Sequence, residues 1–387
     1  MPTPGNRPMK HQDWCFRANP LVGWRVRLAW LPAALGLLLA GCAGITGEDR
    51  DGGELPACHI IYDAGSSSTR LFVYQRTASG WQAQRGPVTD ALADPVRGNR
   101  GKTMQDAGAV VDDIVMALED LRHDGPAGSA GEPEWPGFDW KKQCRVESAA
   151  VYATAGMRMA EQLRPRASSQ LWQMLDQKLS AALQVDVTAR SLTGYEEGLF
   201  AWLAKRQAEP DGNFGLAEMG GASMQVTFPC RACQSSRPVR VNGQTMPIYS
   251  RSLLGWGQDE AWKKYSHLPA CQVGSGNFDP GWTAADCAQG MEGFRAAITG
   301  IVDNIKPAGS LRWYISDAFR YLQDADIDDY CRQGIESSFQ PVSACFRAVY
   351  LNNILDALGL TGIAEKSEVS WTLGAVVCTD TRCLKAE

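Results

Sequence analysis

Two short stretches of the chain set an acid, glycine and hydroxyl side chains between apolar runs, a combination suited to holding phosphate and a cation. The first is Asp63-Ala64-Gly65-Ser66-Ser67-Ser68-Thr69-Arg70, entered from Ile60-Ile61-Tyr62 and left through Leu71-Phe72-Val73-Tyr74. The second is Glu218-Met219-Gly220-Gly221-Ala222-Ser223-Met224-Gln225. Asp63, Gly65 and Ser68 recur as Glu218, Gly220 and Ser223 at a constant separation of 155 residues, so one half of a fold has been used twice. Each copy reads as two strands joined by a turn whose small residues let backbone amides reach an anion. Glycine and serine also mark ordinary hairpins. The matched pair is what points to phosphate.

Two further stretches carry chemistry. Thr154-Ala155-Gly156-Met157-Arg158 follows the apolar run Val146 to Ala153, so a strand ends in a turn that presents a hydroxyl and amides at a helix start, where anions bind. Thr193-Gly194-Tyr195-Glu196-Glu197-Gly198 opens a helix with two adjacent acids. Acids in a first turn suit the helix dipole. Neighbouring side chains on a helix diverge, so at most one of the two faces a shared site.

The elements that position these stretches follow from periodicity. Helical spacing runs through Val110, Val111, Ile114, Val115, Leu118 and Leu121, through Leu171, Leu175, Leu179 and Leu183, and through Phe294, Ile298, Ile301 and Ile305. Val185 to Thr188 and Leu311 to Ile315 read as strands, Ala344 to Leu358 as a helix, and Ser370 to Val377 as a closing strand or helix. Residues 230–290, with four cysteines and several prolines, read as a disulfide-stapled elaboration.

The 387 residues, 44% hydrophobic and 21% charged, suit a globular protein of two ordinary domains. Arg25 and Arg27 precede an apolar run, Leu28 to Ala40, too short to span a bilayer and ending in Leu39-Ala40-Gly41-Cys42. This resembles a bacterial lipoprotein signal with Cys42 as the lipidated residue. It implies export and a lipid anchor at the periplasm or cell surface, with Ala43 favouring the outer membrane. Beyond residue 41 the net charge is −9, which argues against nucleic acid as a partner. No protein partner is legible. Behind an export signal, the even set Cys58, Cys144, Cys230, Cys233, Cys271, Cys287, Cys331, Cys345, Cys378 and Cys383 argues for disulfides. Short spacing favours Cys271–Cys287, Cys331–Cys345 and Cys378–Cys383, with Cys58–Cys144 and Cys230–Cys233 remaining. A lone Cys-x-x-Cys and four scattered histidines make a poor zinc site.

Taken in order, Asp63 to Arg70, Ala153 to Arg158, Gly194 to Gly198, Gly220 to Gln225 and Trp371-Thr372-Leu373-Gly374 resemble the five signature regions of the nucleoside triphosphate diphosphohydrolases, or apyrases. The likeness implies an α/β fold of the actin and sugar-kinase type, two lobes of mixed sheet with flanking helices and an active-site cleft between them. The expected division is signal 1–41, tether 42–57, first lobe 58–193, second lobe 194–365, and a return to the first lobe over 366–387. The resemblance implies hydrolysis of the terminal phosphate of nucleoside tri- and diphosphates with Mg2+ or Ca2+. By the same likeness, Asp63 and Glu218 hold the cation through water, Glu197 is the base, and Ser223 and Gln225 orient the attacking water. Gly65, Ser66, Ser67, Ser68, Thr69, Arg70, Thr154, Ala155, Gly156, Arg158, Gly220, Gly221 and Ala222 would bind phosphate. Glu218 departs from the aspartate usual in the family, and its extra methylene puts its contact with the cation's waters in question. An exopolyphosphatase-like hydrolase shares the two-loop design, and a ligand-binding periplasmic lipoprotein without turnover is the alternative outside enzymes.

Overall fold

Strand parity and one repeated connection pattern organise the chain. The computed structural model describes residues 54–128, 131–241, 243–272, 281–291, 293–322, 326–332 and 340–384. The signal segment, Cys42 and the tether up to residue 53 lie outside the described residues.

One sheet holds β1 (Ala57–Ala64), β2 (Thr69–Thr77), β3 (Gly80–Thr89), β4 (Arg145–Ala153) and β5 (Val187–Ser191) in the order β3-β2-β1-β4-β5. A second holds β6 (Phe214–Met219), β7 (Ser223–Pro229), β8 (Arg237–Val241), β9 (Gln244–Leu254), β10 (Arg312–Asp317) and β11 (Ala364–Lys366) in the order β11-β10-β6-β7-β9-β8. In each sheet a central strand, β1 or β6, pairs antiparallel with the next strand and parallel with a later one, β4 or β10. The order β9-β7-β6-β10-β11 therefore repeats β3-β2-β1-β4-β5, and β8 is an addition. The β8–β9 hairpin lies in the stretch that reads from sequence as a disulfide-stapled elaboration. Alternation there is interrupted by Pro238 and Pro247, which sit opposite each other in the hairpin.

The long helices are α1 (Ala107–Asp120), α2 (Ala155–Leu163), α3 (Pro165–Leu183), α4 (Gly194–Ala208), α5 (Gln258–Tyr265), α6 (Gly293–Ile305), α7 (Pro341–Leu358) and α8 (Trp371–Thr381). The apolar faces of α1 and α3 cover the outer side of the first sheet, and those of α6 and α7 cover the outer side of the second. A third core lies between the sheets, where Ile61, Phe72 and Tyr74 meet Leu199, Trp202 and Leu203 of α4, Phe214, Leu216 and Tyr314 of the second sheet, and Trp371 and Val376 of α8. Helix α4 follows β5 as α8 follows β11, so the two helices that close the two repeats are the pair packed on each other.

The Trp371-Thr372-Leu373-Gly374 region belongs to this packing. Trp371 is buried, and Thr372 exchanges a 2.7 Å hydrogen bond with the Tyr74 hydroxyl. A Cβ at Gly374 would stand 1.7 Å from the Phe200 carbonyl oxygen, so only glycine lets the helices approach this closely. Sulfurs of Cys58–Cys144, Cys230–Cys233, Cys271–Cys287, Cys331–Cys345 and Cys378–Cys383 are bonded in pairs.

Gly374→Ala is expected to destabilise the fold by about 1–3 kcal/mol, because the obstacle is backbone and cannot turn aside. In Gly300, exposed within α6 with open space around it, the same substitution should stabilise by about 0.5–1 kcal/mol. Chemical denaturation of both variants checks the pair, and a neutral Gly374→Ala would contradict the packing.

Candidate active site

Alternation along β1 sends Ile60, Tyr62 and Ala64 to the outer core and Ile61 to the core between the sheets, so Asp63 follows Ile61 inward. In β6, Ala217 and Met219 face outward and Leu216 inward, and Glu218 follows Leu216. The repeat thus delivers two buried carboxyls, 9% and 4% exposed, to the junction between the lobes. Asp63 accepts from Arg70 at 3.1 Å. Burial pushes its carboxyl up, and Arg70 only partly offsets this. Glu218 has no such cation. Burial and then the neighbouring Asp317 hold it well above the usual carboxylate range, and its Oε2 is buried without a hydrogen-bond partner.

The first loop is anchored on both sides. The Thr69 hydroxyl accepts from the Leu92 amide at 3.3 Å and is buried, so it ties the loop to the first lobe. Gly65 packs over the Ser68 carbonyl, with room for a Cβ only at 3.1 Å. Ser66 stands between two other glycines: a Cβ at Gly156 would lie 2.9 Å from its Cα, and one at Gly221 would lie 2.6 Å from its Oγ. Ser67 donates to Asp259 of the opposite lobe at 3.2 Å, and its carbonyl accepts from Arg100 at 2.6 Å.

The second loop is propped from behind by α5. The carbonyls of Gly220, Gly221 and Ala222 accept from the amides of Gln258, Asp259 and Gly255 at 3.0, 2.8 and 2.8 Å. A trans peptide places N–H opposite C=O, so the amides of Gly221 and Ala222 turn away from the helix and can donate to an anion. Thr154 begins α2 beside Ala155 and Gly156, and its side chain does not cap the helix.

The two glutamates of α4 divide. Glu196 closes a capping box with Thr193, accepting from its amide at 2.8 Å, and pairs with Arg190. Glu197 is 7% exposed and accepts from Arg158 Nη1 at 2.7 Å. Gly194 and Gly198, one turn apart, press the helix backbone onto the second sheet: a Cβ at Gly194 would lie 2.2 Å from Ser252 Cβ, and one at Gly198 would lie 2.5 Å from Ser250 Oγ and Thr227 Oγ1. This contact fixes where Glu197 points. Burial raises its carboxyl to about 7 against the opposing pull of Arg158, with Asp63 and Asp317 adding to the rise.

Arg158 also donates to the Leu192 carbonyl, to Ser223 Oγ at 3.2 Å and to Ser252 Oγ at 3.4 Å. Its guanidinium is therefore engaged by protein and is the partner of Glu197. Gln225, opposite Glu218 in the ladder, donates to Ser223 Oγ at 2.5 Å and Ser252 Oγ at 3.2 Å. The Ser223 proton and the Gln225 carbonyl remain for a small polar guest. Ser252 and Asp317 escape the sequence reading, which singles out neither as a site residue. Ser252 is one polar residue within a strand. Asp317 follows Ser316 at the end of β10, the counterpart of the β4 end that leads to Thr154, so the repeat register was the available signal.

The donor set suits a hydrated cation. An orphaned Glu218 oxygen, a second buried carboxyl and a third acid close by offer negative charge, and among the described residues Arg70 pairs directly with Asp63. Among the described residues no three His, Cys, Asp or Glu side chains close on a point as direct ligands would, which fits contact through water.

Two lobes of one β-topology, with paired helices and facing loops at their junction, define the actin and sugar-kinase-like class. A Ppx/GppA family structure from Aquifex aeolicus shares this fold, with a TM-score of 0.51 and 15% identity over 85% of this chain and 99% of that one. Residues 140–354 match the GDA1/CD39 (nucleoside phosphatase) family, and the chain belongs to it. Mouse ectonucleoside triphosphate diphosphohydrolase 2 is 29% identical over 280 residues, 65% of this chain and 51% of that protein. The probable apyrase 4 of Arabidopsis thaliana is 28% identical over 381 residues, 89% of this chain and 69% of that protein. The chain spans about half the length of the ectonucleoside relatives it matches.

A carboxyl whose folded pKa lies above its unfolded one favours folding at low pH and costs stability as pH rises between the two. Without divalent cation, Glu218→Gln should therefore raise the melting temperature by a few degrees at pH 8. The gain should shrink toward pH 5, where the unfolded carboxyl is also becoming neutral. A pH-independent difference would show that Glu218 is not held protonated by its surroundings.

Proposed function

We propose that this protein hydrolyses the terminal phosphoanhydride of nucleoside tri- and diphosphates, by direct attack of a water deprotonated by Glu197. The observation that carries the reading is a buried carboxyl raised to about 7, linked through Arg158 to Ser223 on the second phosphate loop. A general base works best when its pKa lies near the working pH.

The phosphate chain is received by amides of both loops, from Gly65 to Ser68 and from Gly220 to Ala222, with the Thr154 hydroxyl beside them. Ser67 and Ser68 add hydroxyls. Asp63 and Glu218 would hold a magnesium or calcium ion through water, and that ion would supply neutralisation of charge on the phosphates. The Ser223 hydroxyl donates a hydrogen bond to the attacking water, while Glu197 and the Gln225 carbonyl accept hydrogen bonds from its two protons and aim the remaining lone pair at phosphorus. As the water oxygen bonds to phosphorus, the bridging P–O bond breaks and Glu197 takes the proton. Inorganic phosphate and the shortened nucleotide leave, and a diphosphate product is itself a substrate. The sequence of residues 25–43 supports an exported protein tethered to a bacterial membrane through Cys42.

Phosphate release from ATP, ADP, AMP and polyphosphate, with Mg2+ or Ca2+ and with chelator, tests this reading. ATP and ADP should be turned over only with cation, AMP should be inert, and Glu197→Gln should lower kcat by roughly 10²–10⁴-fold. Full turnover by Glu197→Gln would remove it as the base. Release from polyphosphate in preference to nucleotides would assign the site to the exopolyphosphatase type.

A further inference from the structure

Asp317 is the acid that the repeat register marks and strand parity misdirects. In register, Ala64 pairs with Ala153 and Met219 pairs with Asp317, so Asp317 occupies in the second lobe the place that immediately precedes Thr154 in the first. Alternation along β10 would send it outward with Trp313 and Ile315 into the outer core. Its φ of 52° and ψ of −127° break the alternation. The carboxyl is thereby in hydrogen-bond contact with that of Glu218, although the residue keeps an exposed face. A non-glycine residue in this backbone region is held there by its surroundings. Beside it lie two buried polar atoms without hydrogen-bond partners, Glu218 Oε2 and Ser316 Oγ, on residues paired in the β6–β10 ladder. Both side chains are more than nine-tenths buried, and the Glu218 carboxyl reaches Asp317. Two orphaned oxygens and an acid in contact with Glu218 call for a guest that supplies hydrogen-bond donors and positive charge, which is what the water shell of a divalent cation offers.

We propose that Asp317 is a third acidic contact to the hydration shell of the divalent cation, acting with Asp63 and Glu218. The inference rests on the cation placement given under the proposed function. It also gives the extra methylene of Glu218 a physical role, since the longer side chain reaches Asp317. Asp317 is a positioning residue for the cation and touches no reacting atom.

Calorimetric titration of Ca2+ into the protein saturated with a non-hydrolysable ATP analogue tests it. Asp317→Asn should weaken Ca2+ binding about 10-fold or more, as losses around a metal site commonly do. Asp317→Gly removes the carboxyl while suiting the positive φ, so it should fold at least as well as the parent and lose Ca2+ affinity to a similar degree. Binding of the analogue in chelator should be unchanged or tighter in both variants, because a negative charge has been removed near the phosphates. Parental Ca2+ affinity in both variants, with Asp63→Asn weakened, would overturn the role of Asp317 and leave the proposed function standing. Parental affinity in all three would overturn the cation placement itself.

Discussion

The structure depends on putting several carboxyls into a junction with little water and few counter-charges. Asp63, Glu197 and Glu218 are buried there, Asp317 touches Glu218, and Asp63, Glu197 and Asp317 all add to the rise in the pKa of Glu218. Arg70 and Arg158 supply the nearest positive charge, one on Asp63 and the other on Glu197. Unpaired buried charge is costly, and a group so placed takes up a proton unless a cation compensates it. The same cost favours a guest that carries positive charge to Glu218 and leaves Glu197 poised to exchange a proton near neutrality.

Holding these groups together requires close backbone approach. Gly194 and Gly198 seat α4 on the second sheet, Gly374 seats α8 on α4, and Gly156 and Gly221 close on Ser66 from two sides. Contacts between lobes complete the arrangement. Arg97 and Glu260 form a 2.7 Å ion pair with both side chains largely buried, and Asp259 accepts from Ser67 across the junction and from Arg347 behind it at 2.7 Å. Through Asp259 and Glu260, the start of α5 thus props the second loop and also grips the first lobe. Loop position and lobe closure are coupled in one short helix.

Much of this was legible in the sequence. The constant spacing between Asp63, Gly65, Ser68 and Glu218, Gly220, Ser223 announced the repeat, and strand alternation carried both acids to the same inner face. The rule that neighbouring helical side chains diverge anticipated that Glu196 and Glu197 could not share a site, and Thr193 marks the one that caps. Other features depended on tertiary contacts. Arg158 reads as a cation near a phosphate turn, and its bonds to Glu197 and Ser223 come from segments distant in the chain. Thr69 reads as one more loop hydroxyl, yet its bond to the Leu92 amide comes from a chain segment 23 residues away. Asp317 was hidden because its φ reverses the parity that a strand reading relies on. The β8–β9 hairpin was hidden by its paired prolines and the nearby cysteines.

The pH dependence of kcat at saturating metal–nucleotide tests the central claim most directly, that Glu197 is a buried base whose pKa is set by burial against Arg158. The parent should show an acid limb near pH 7, where Glu197 gains its proton and loses basicity. Arg158→Met should move that limb to higher pH, because the cation opposing the rise is gone, and Arg158→Lys should return it toward the parent value. An acid limb in the ordinary carboxylate range, in the same position for all three proteins, would contradict the account.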